Sequence, residues 1–311
     1  MIGVVLGTRD LVKVYGRRRA LDGFTLTVPQ GAVMGLVGPN GAGKTTWMMT
    51  VAGFLRPTSG MIDILGRGPF DAVVHSGRIA ILPQDSELPL EATPSELLYR
   101  YGRLQGLSPA AARASVAEVL AAVNLADRAH NAVRTLSHGM RKRAMLAQCF
   151  IGSPELVLLD EPLNGLDPAE QDRMRRFILS RRGRQTIVVS SHNLNDIEIL
   201  CSHVAFVEKG RVARTSTVRA LTASAGRAEY VLARVPSPRD ALDAALAAAL
   251  PTVRFTWRVG AENGATLVCT FDAASMDAAA VNHAVLPVLL AHADVLSVST
   301  GVSLEQAYLG G

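Results

Sequence analysis

The chain has 311 residues but only three cysteines, Cys149, Cys201 and Cys269, far apart and with no CxxC pair among them. That excludes a disulfide framework or a cysteine-built zinc site and predicts buried free thiols in a reducing compartment. Long apolar runs are also missing. A bilayer-spanning helix needs roughly 18 or more consecutive apolar residues, and the longest candidate, Ala284–Leu296, is interrupted by His292 and Asp294. At the N-terminus, Arg9, Asp10 and Lys13 break up any apolar core of a signal peptide. A cytoplasmic chain is therefore expected, with any membrane part supplied by another polypeptide. There is no sustained heptad pattern, so no long coiled coil is expected.

What the chain does have is core-forming material: 49% of its residues are hydrophobic, and its length suggests about two domains. Its net charge of +5 is unevenly placed. Residues 1–223 carry 27 Lys/Arg against 19 Asp/Glu, while residues 224–311 carry 5 against 8. The change in character predicts a domain boundary near residue 223. The basic runs Arg17–Arg19, Arg141–Arg143 and Arg181–Arg184 are short and read as solvated faces. No nucleic-acid partner is expected from them.

The strongest chemical signal follows an apolar strand at Ala32–Val37. Gly38-Pro39-Asn40-Gly41-Ala42-Gly43-Lys44-Thr45-Thr46 fits the phosphate-loop pattern, and Thr45–Leu55 continues with helical spacing. Glycines let successive backbone N–H groups converge on an anion, and the helix N-terminus adds partial positive charge. Lys44 can reach the β- and γ-phosphates, and Thr45 offers a hydroxyl to Mg²⁺. A second apolar strand, Leu156–Leu159, ends in Asp160 and Glu161. Strand neighbours point to opposite sides, which predicts separate roles. Asp160 suits Mg²⁺, and Glu161 suits the attacking water. A Mg²⁺-dependent, nucleotide-hydrolysing P-loop enzyme is expected.

With these motifs the chain, over about residues 5–222, resembles the ABC (ATP-binding cassette) ATPase family. Leu136-Ser137-His138-Gly139-Met140 looks like the family signature usually written LSGGQ. The resemblance implies that Ser137 and Gly139 bind the γ-phosphate held by an opposing subunit. It also implies that Tyr15 stacks on adenine and that Gln84 touches Mg²⁺ and a membrane subunit. Asn164-Gly165-Leu166-Asp167 resembles the D-loop, a dimer contact, although Asp167-Pro168 fits a plain helix cap equally well. His192, after the strand Thr186–Ser190, resembles the switch histidine at γ-phosphate. His138, Met140, Leu163 and the bulky Trp47 depart from the common pattern.

The resemblance implies an α/β fold with a β-subdomain and a helical signature subdomain. It implies a homodimer of this chain and a separately encoded membrane permease that holds it to the inner face of the cell membrane. The His-Gly-Met form is similar to bacterial drug and polysaccharide exporters. A non-transport ABC ATPase acting on the ribosome or nucleic acid is the alternative. Against it stand a single phosphate loop, where translation-type relatives carry two cassettes, and the missing coiled coil of chromosome-type relatives. A permease surface is expected near Gln84 and residues 85–100, with Leu88, Leu90, Leu97 and Leu98 as apolar anchors.

Residues 224–311 read as a small α+β domain. Strands are predicted at Glu229–Val235, Val253–Val259, Thr266–Phe271 and Val295–Thr300, with helices at Asp240–Leu250 and Met276–Ala291. The order βαββαβ suggests a ferredoxin-like accessory domain. Ser303–Leu309 resembles an ending common in the exporter cassettes.

Overall fold

A computed structural model of the chain describes residues 3–223, 226–234, 239–259, 264–272, 275–301 and 304. The exporter-like ending at 303–309 therefore lies outside the described residues, Leu304 excepted. The chain divides into two compact units, Met1–Ser216 and Thr217–Gly311.

The first unit carries two sheets. Strands β1 (Val4–Tyr15), β2 (Arg18–Pro29) and β4 (Ser59–Ile64) form an antiparallel sheet in the order β2-β1-β4. The second sheet uses β3 (Val33–Val37), β5 (Ile79–Leu82), β6 (Leu156–Asp160), β7 (Thr186–Ser191), β8 (His203–Glu208) and β9 (Arg211–Thr217), ordered β5-β6-β7-β3-β8-β9. From β5 through β8 its pairings are parallel. Every residue of β3, β6 and β7 is buried, which explains the apolar runs Val33–Val37, Leu156–Leu159 and Ile187–Val189 within them. Among the described residues six α-helices complete the unit: α1 (Lys44–Val51), α2 (Pro94–Leu104), α3 (Pro109–Ala122), α4 (His138–Gln148), α5 (Pro168–Ser180) and α6 (Leu194–Leu200).

The main core joins both sheets to α1. Trp47 is at its centre, fully buried, stacked on Phe24 at 5.4 Å and donating its indole N–H to Thr8 Oγ1 at 3.1 Å. Its bulk, unusual after a phosphate loop, thus fills the space between α1 and the β1–β2 layer. Trp47→Ala should lower unfolding stability by about 3–5 kcal/mol, the usual cost of deleting a buried aromatic side chain. Urea denaturation followed by circular dichroism would show it, and a loss under about 1 kcal/mol would contradict this packing.

The second unit contains α7 (Val218–Ala223), β10 (Gly226–Leu232), α8 (Arg239–Ala249), β11 (Arg254–Val259), β12 (Ala265–Phe271), α9 (Ala278–Leu290) and β13 (Val295–Thr300). Its sheet has the order β11-β12-β10-β13, with all neighbours antiparallel. After α7 the element order is βαββαβ, the ferredoxin-like arrangement expected from the sequence. Its core gathers Tyr230, Leu242, Leu246, Leu267, Val281, Val285 and Leu289. Tyr230 reaches the α9 side chain Asn282, donating its hydroxyl to Oδ1 at 2.5 Å.

All three cysteines are buried and free. Burial pushes the thiols of Cys149 and Cys269 up to about 12, so they stay protonated and unreactive. No helix among the described residues is long and apolar enough to cross a membrane.

Candidate nucleotide-binding site

The site forms at the carboxyl ends of the parallel strands, where open α/β sheets leave a crevice. The loop after β3 closes over the N-terminus of α1. Two of its glycines are sterically required. A Cβ at Gly38 would lie 2.1 Å from the Val207 carbonyl oxygen. Gly43 caps α1 at φ 111°, and a Cβ there would lie 2.8 Å from Ala20 O. Any larger residue would push the loop off the strands that hold it.

Lys44 begins α1 and is buried. Its ammonium donates to Gly38 O at 2.7 Å and to Pro39 O at 3.2 Å. Burial lowers its proton affinity, while the charges of Glu161 and Asp160 oppose the shift. A cation folded back onto its own loop can exchange those carbonyls for phosphate oxygens.

Asp160 ends β6, buried, and Ser190 of β7 donates its hydroxyl to Oδ1. Oδ2 is buried with no partner. Glu161 is not part of the strand. Its φ is +50°, a left-handed conformation that costs a non-glycine residue about 1 kcal/mol. The simple alternation expected of two strand neighbours is therefore replaced by a turn. Ser190 holds that turn: the Glu161 N–H donates to Ser190 Oγ at 3.0 Å and to Ser190 O at 3.3 Å. His192 Nδ1 donates to the Glu161 carboxylate at 3.0 Å. The structure thus places His192 against Glu161.

One cleft of about 390 Å³ brings together Tyr15, Asn40–Thr46, Gln84, Asp160 and Glu161, with Arg18 and Ala20. Tyr15 is exposed, and Lys13 Nζ sits 5.1 Å from its ring centroid while donating to Arg56 O at 2.7 Å. One side of the ring is thereby paired with a tethered cation. Ser137, Gly139 and Asp167 do not line this cleft. Ser137 caps α4, its Oγ accepting from Met140 N at 3.2 Å, and Gly139 lies in the first turn. Asp167 caps α5 by accepting from Glu170 N at 2.9 Å. Within one chain, then, the helix-cap alternative for Asp167-Pro168 is the arrangement observed.

Of the three basic runs, Arg17–Arg19 is exposed as expected, while the other two each turn one arginine inward. Arg143 is buried, donates to the Val123 and Asn124 carbonyls, and pairs with Glu170 at 2.8 Å. Lys142 donates to Asn164 O. Burial lowers the proton affinity of Lys142, against the pull of Asp85 and Glu161. Arg181, also buried, pairs with Glu118 at 2.8 Å. Partners three or more helical turns away in sequence pair with these cations, which no local charge pattern reveals, although the Nε atoms of Arg143 and Arg181 keep no hydrogen-bonded acceptor. Gln171 of α5 adds its amide to the Leu166 carbonyl at 3.2 Å. Lys142 and Gln171 thus hold the 163–166 turn from two helices.

Of the four leucines expected at a partner surface, three turn inward. Leu88, Leu97 and Leu98 are buried, and only Leu90, 50% exposed, remains outside. The capping box of Thr93 and Glu96 fixes the start of α2 and packs that helix on α3, which carries Leu97 and Leu98 into the core.

A phosphate cradle, a buried cation and two carboxylates beside it define the nucleotide-binding crevice of a P-loop fold. The chain belongs to the ABC transporter family: the family model for ABC transporters matches residues 21–164, and relatives matched over two thirds or more of their length agree. The Nod factor export ATP-binding protein I of Burkholderia orbicola is 34% identical over 241 residues, covering 76% of this chain and 79% of that protein. The daunorubicin/doxorubicin resistance ATP-binding protein of Streptomyces peucetius is 35% identical over 221 residues, covering 70% and 67%. A solved ATP-binding subunit of an ABC transporter superposes with a TM-score of 0.63 at 27% identity, over 70% of this chain and 91% of that one.

Proposed function

We propose that this chain is the ATP-hydrolysing subunit of an ABC exporter and drives a separate membrane permease. The observation that carries the reading is the cleft in which the phosphate loop, Lys44, Asp160 and Glu161 converge. Lys44 supplies fixed positive charge to the terminal phosphates of ATP, and the backbone of 40–46 donates hydrogen bonds to them. Glu161, fixed by Ser190 and His192, orients the attacking water and accepts its proton. Tyr15 offers a ring face to adenine.

Mg²⁺ fits the residues present. Asp160 Oδ2 is a buried, unpartnered carboxylate oxygen in the cleft. With the Thr45 hydroxyl and the Gln84 side-chain oxygen it makes the all-oxygen donor set that hard cations prefer. When bound, the ion would offset phosphate charge. The signature Ser137 and Gly139, remote from their own cleft, suit a second chain's γ-phosphate in a homodimer.

The permease surface is a groove of about 480 Å³ beside Gln84. Asp85, Glu87, Leu88 and Leu90 form one wall, and His138, Arg141, Lys142 and Met145 form the other. Acidic and basic side chains interspersed with the apolar Leu88, Leu90 and Met145 suit a short helix from a membrane subunit. That contact would place the chain on the inner face of the membrane. The purified chain should release phosphate from ATP only with Mg²⁺ and should co-purify with the permease encoded beside it. Leu90→Glu should keep the first property and lose the second. Absence of ATP turnover in the parent would sink the ATPase reading, and retained co-purification by Leu90→Glu would misplace the groove.

A further inference from the structure

Arg18 stands in the nucleotide cleft for no structural reason that the fold supplies. The hairpin joining β1 and β2 closes on the pair Tyr15 and Arg18, which are directly opposed across the ladder. Opposed residues of an antiparallel pair project from the same face, their Cβ atoms about 5 Å apart. The hairpin therefore delivers a ring and a guanidinium side by side into the same cleft. The guanidinium extends over the phosphate loop: a Cβ on Gly41 would lie 3.3 Å from an Arg18 terminal nitrogen.

Its neighbours in the basic run behave differently. Arg19 is bound to Asp22 at 2.6 Å, and Asp22 is shared with Arg211 at 2.6 Å. Those two guanidinium groups hold the Asp22 carboxyl below its ordinary range. Arg17 does not line the cleft. Among the described residues Arg18 has no ion pair and no hydrogen-bonded acceptor, although its planar fork is built for bidentate oxyanion contacts. Of the anionic groups in the cleft, Glu161 is held by His192 and Asp160 by Ser190 through Oδ1, and neither is paired with Arg18.

We propose that Arg18 is a nucleotide-binding residue that grips the β–γ end of the phosphate chain, opposite Lys44, while Tyr15 holds the base. Two cations then flank the phosphates, one rigid and buried in α1, one on an exposed hairpin that can close once the base is stacked. This rests on the reading of the cleft as an ATP site, and the two are tested apart by comparing nucleotides of different phosphate number.

Dissociation constants for ATP, ADP and AMP should be measured by calorimetry on the full chain, with Arg18→Gln, Arg18→Lys and Arg17→Gln. Losing a charge-assisted contact to phosphate should weaken ATP and ADP by about tenfold or more. AMP binding should be unchanged. Arg18→Lys should recover part of the loss, and Arg17→Gln should bind like the parent. Equal weakening of AMP would assign Arg18 to the shape of the hairpin instead, and unchanged ATP and ADP affinities would remove it from the site. Loss of the same size in Arg17→Gln would reduce the effect to general basic charge. A parent chain that binds none of the three nucleotides would overturn the cleft reading and this proposal together.

Discussion

Glu161→Gln should bind ATP as tightly as the parent and turn it over about 10²-fold more slowly or worse. The magnitude is that of removing a general base from a reaction it assists. The substitution is nearly isosteric. It leaves the backbone N–H of residue 161 bonded to Ser190, and it leaves an amide oxygen to accept from His192 Nδ1. The left-handed turn at φ +50° should therefore survive, because backbone partners and not the carboxylate hold it. What disappears is the capacity to take a proton from water. Phosphate release under single-turnover conditions separates that step from binding and product release. Lys44 adds a second readout. Glu161 is one of the charges that oppose the burial-driven fall in its proton affinity, so neutralising residue 161 leaves Lys44 a poorer ammonium. If kcat stays within about threefold of the parent, water is oriented by another group and Glu161 loses its role.

The contrast between the phosphate loop and the basic run Arg141–Arg143 shows where sequence is informative. The loop is local. Strand, glycines, lysine and helix follow one another within a few residues, so spacing alone states the geometry. The apolar strand before Asp160 is similar, because burial on both faces leaves an unbroken run. Residues whose purpose lies in distant partners were not legible. Arg143 and Arg181 looked solvated because their acidic partners, Glu170 and Glu118, are far along the chain. Ser190 gave no signal, although it supports both Asp160 and the Glu161 turn. Helix α4 starts at His138, well before its apolar stretch at residue 144, because the Ser137 cap and not hydrophobic periodicity sets its first turn. The leucines of 85–100 failed for the opposite reason. Apolar character marks both a docking surface and a core, and only packing on α3 distinguishes them. Arg18 could have been found from its opposition to Tyr15, once the two-residue hairpin was recognised.

Ser137→Arg should abolish both the ATP-dependent dimer and nearly all hydrolysis, while leaving each chain able to bind ATP. Ser137 and Gly139 do not line the cleft that contains their own phosphate loop, yet they begin a helix whose N-terminal N–H groups suit an anion. A second copy, related by a two-fold axis, can bring that helix to the first copy's γ-phosphate and offer its own cleft in exchange. Two ATP molecules then lie in the contact, and the contact depends on both. The same geometry makes the turn 163–166, braced by Lys142 and Gln171, a natural element of the interface. An arginine at 137 removes the Oγ that caps α4, at about 1 kcal/mol. That is too little to unfold the chain, but the added bulk fills the space the phosphate needs. In the Glu161→Gln background, where ATP persists, analytical ultracentrifugation should show dimer with ATP and monomer without it. Adding Ser137→Arg should hold the protein as monomer at saturating ATP, with calorimetric ATP affinity within about threefold of the parent. Ser137→Ala should separate cap from contact, losing helix stability while retaining part of the dimer. A dimer that survives Ser137→Arg would place the partner surface elsewhere. A chain that remains monomeric with Glu161→Gln, Mg²⁺, ATP and its permease all present would refute the shared-site arrangement itself.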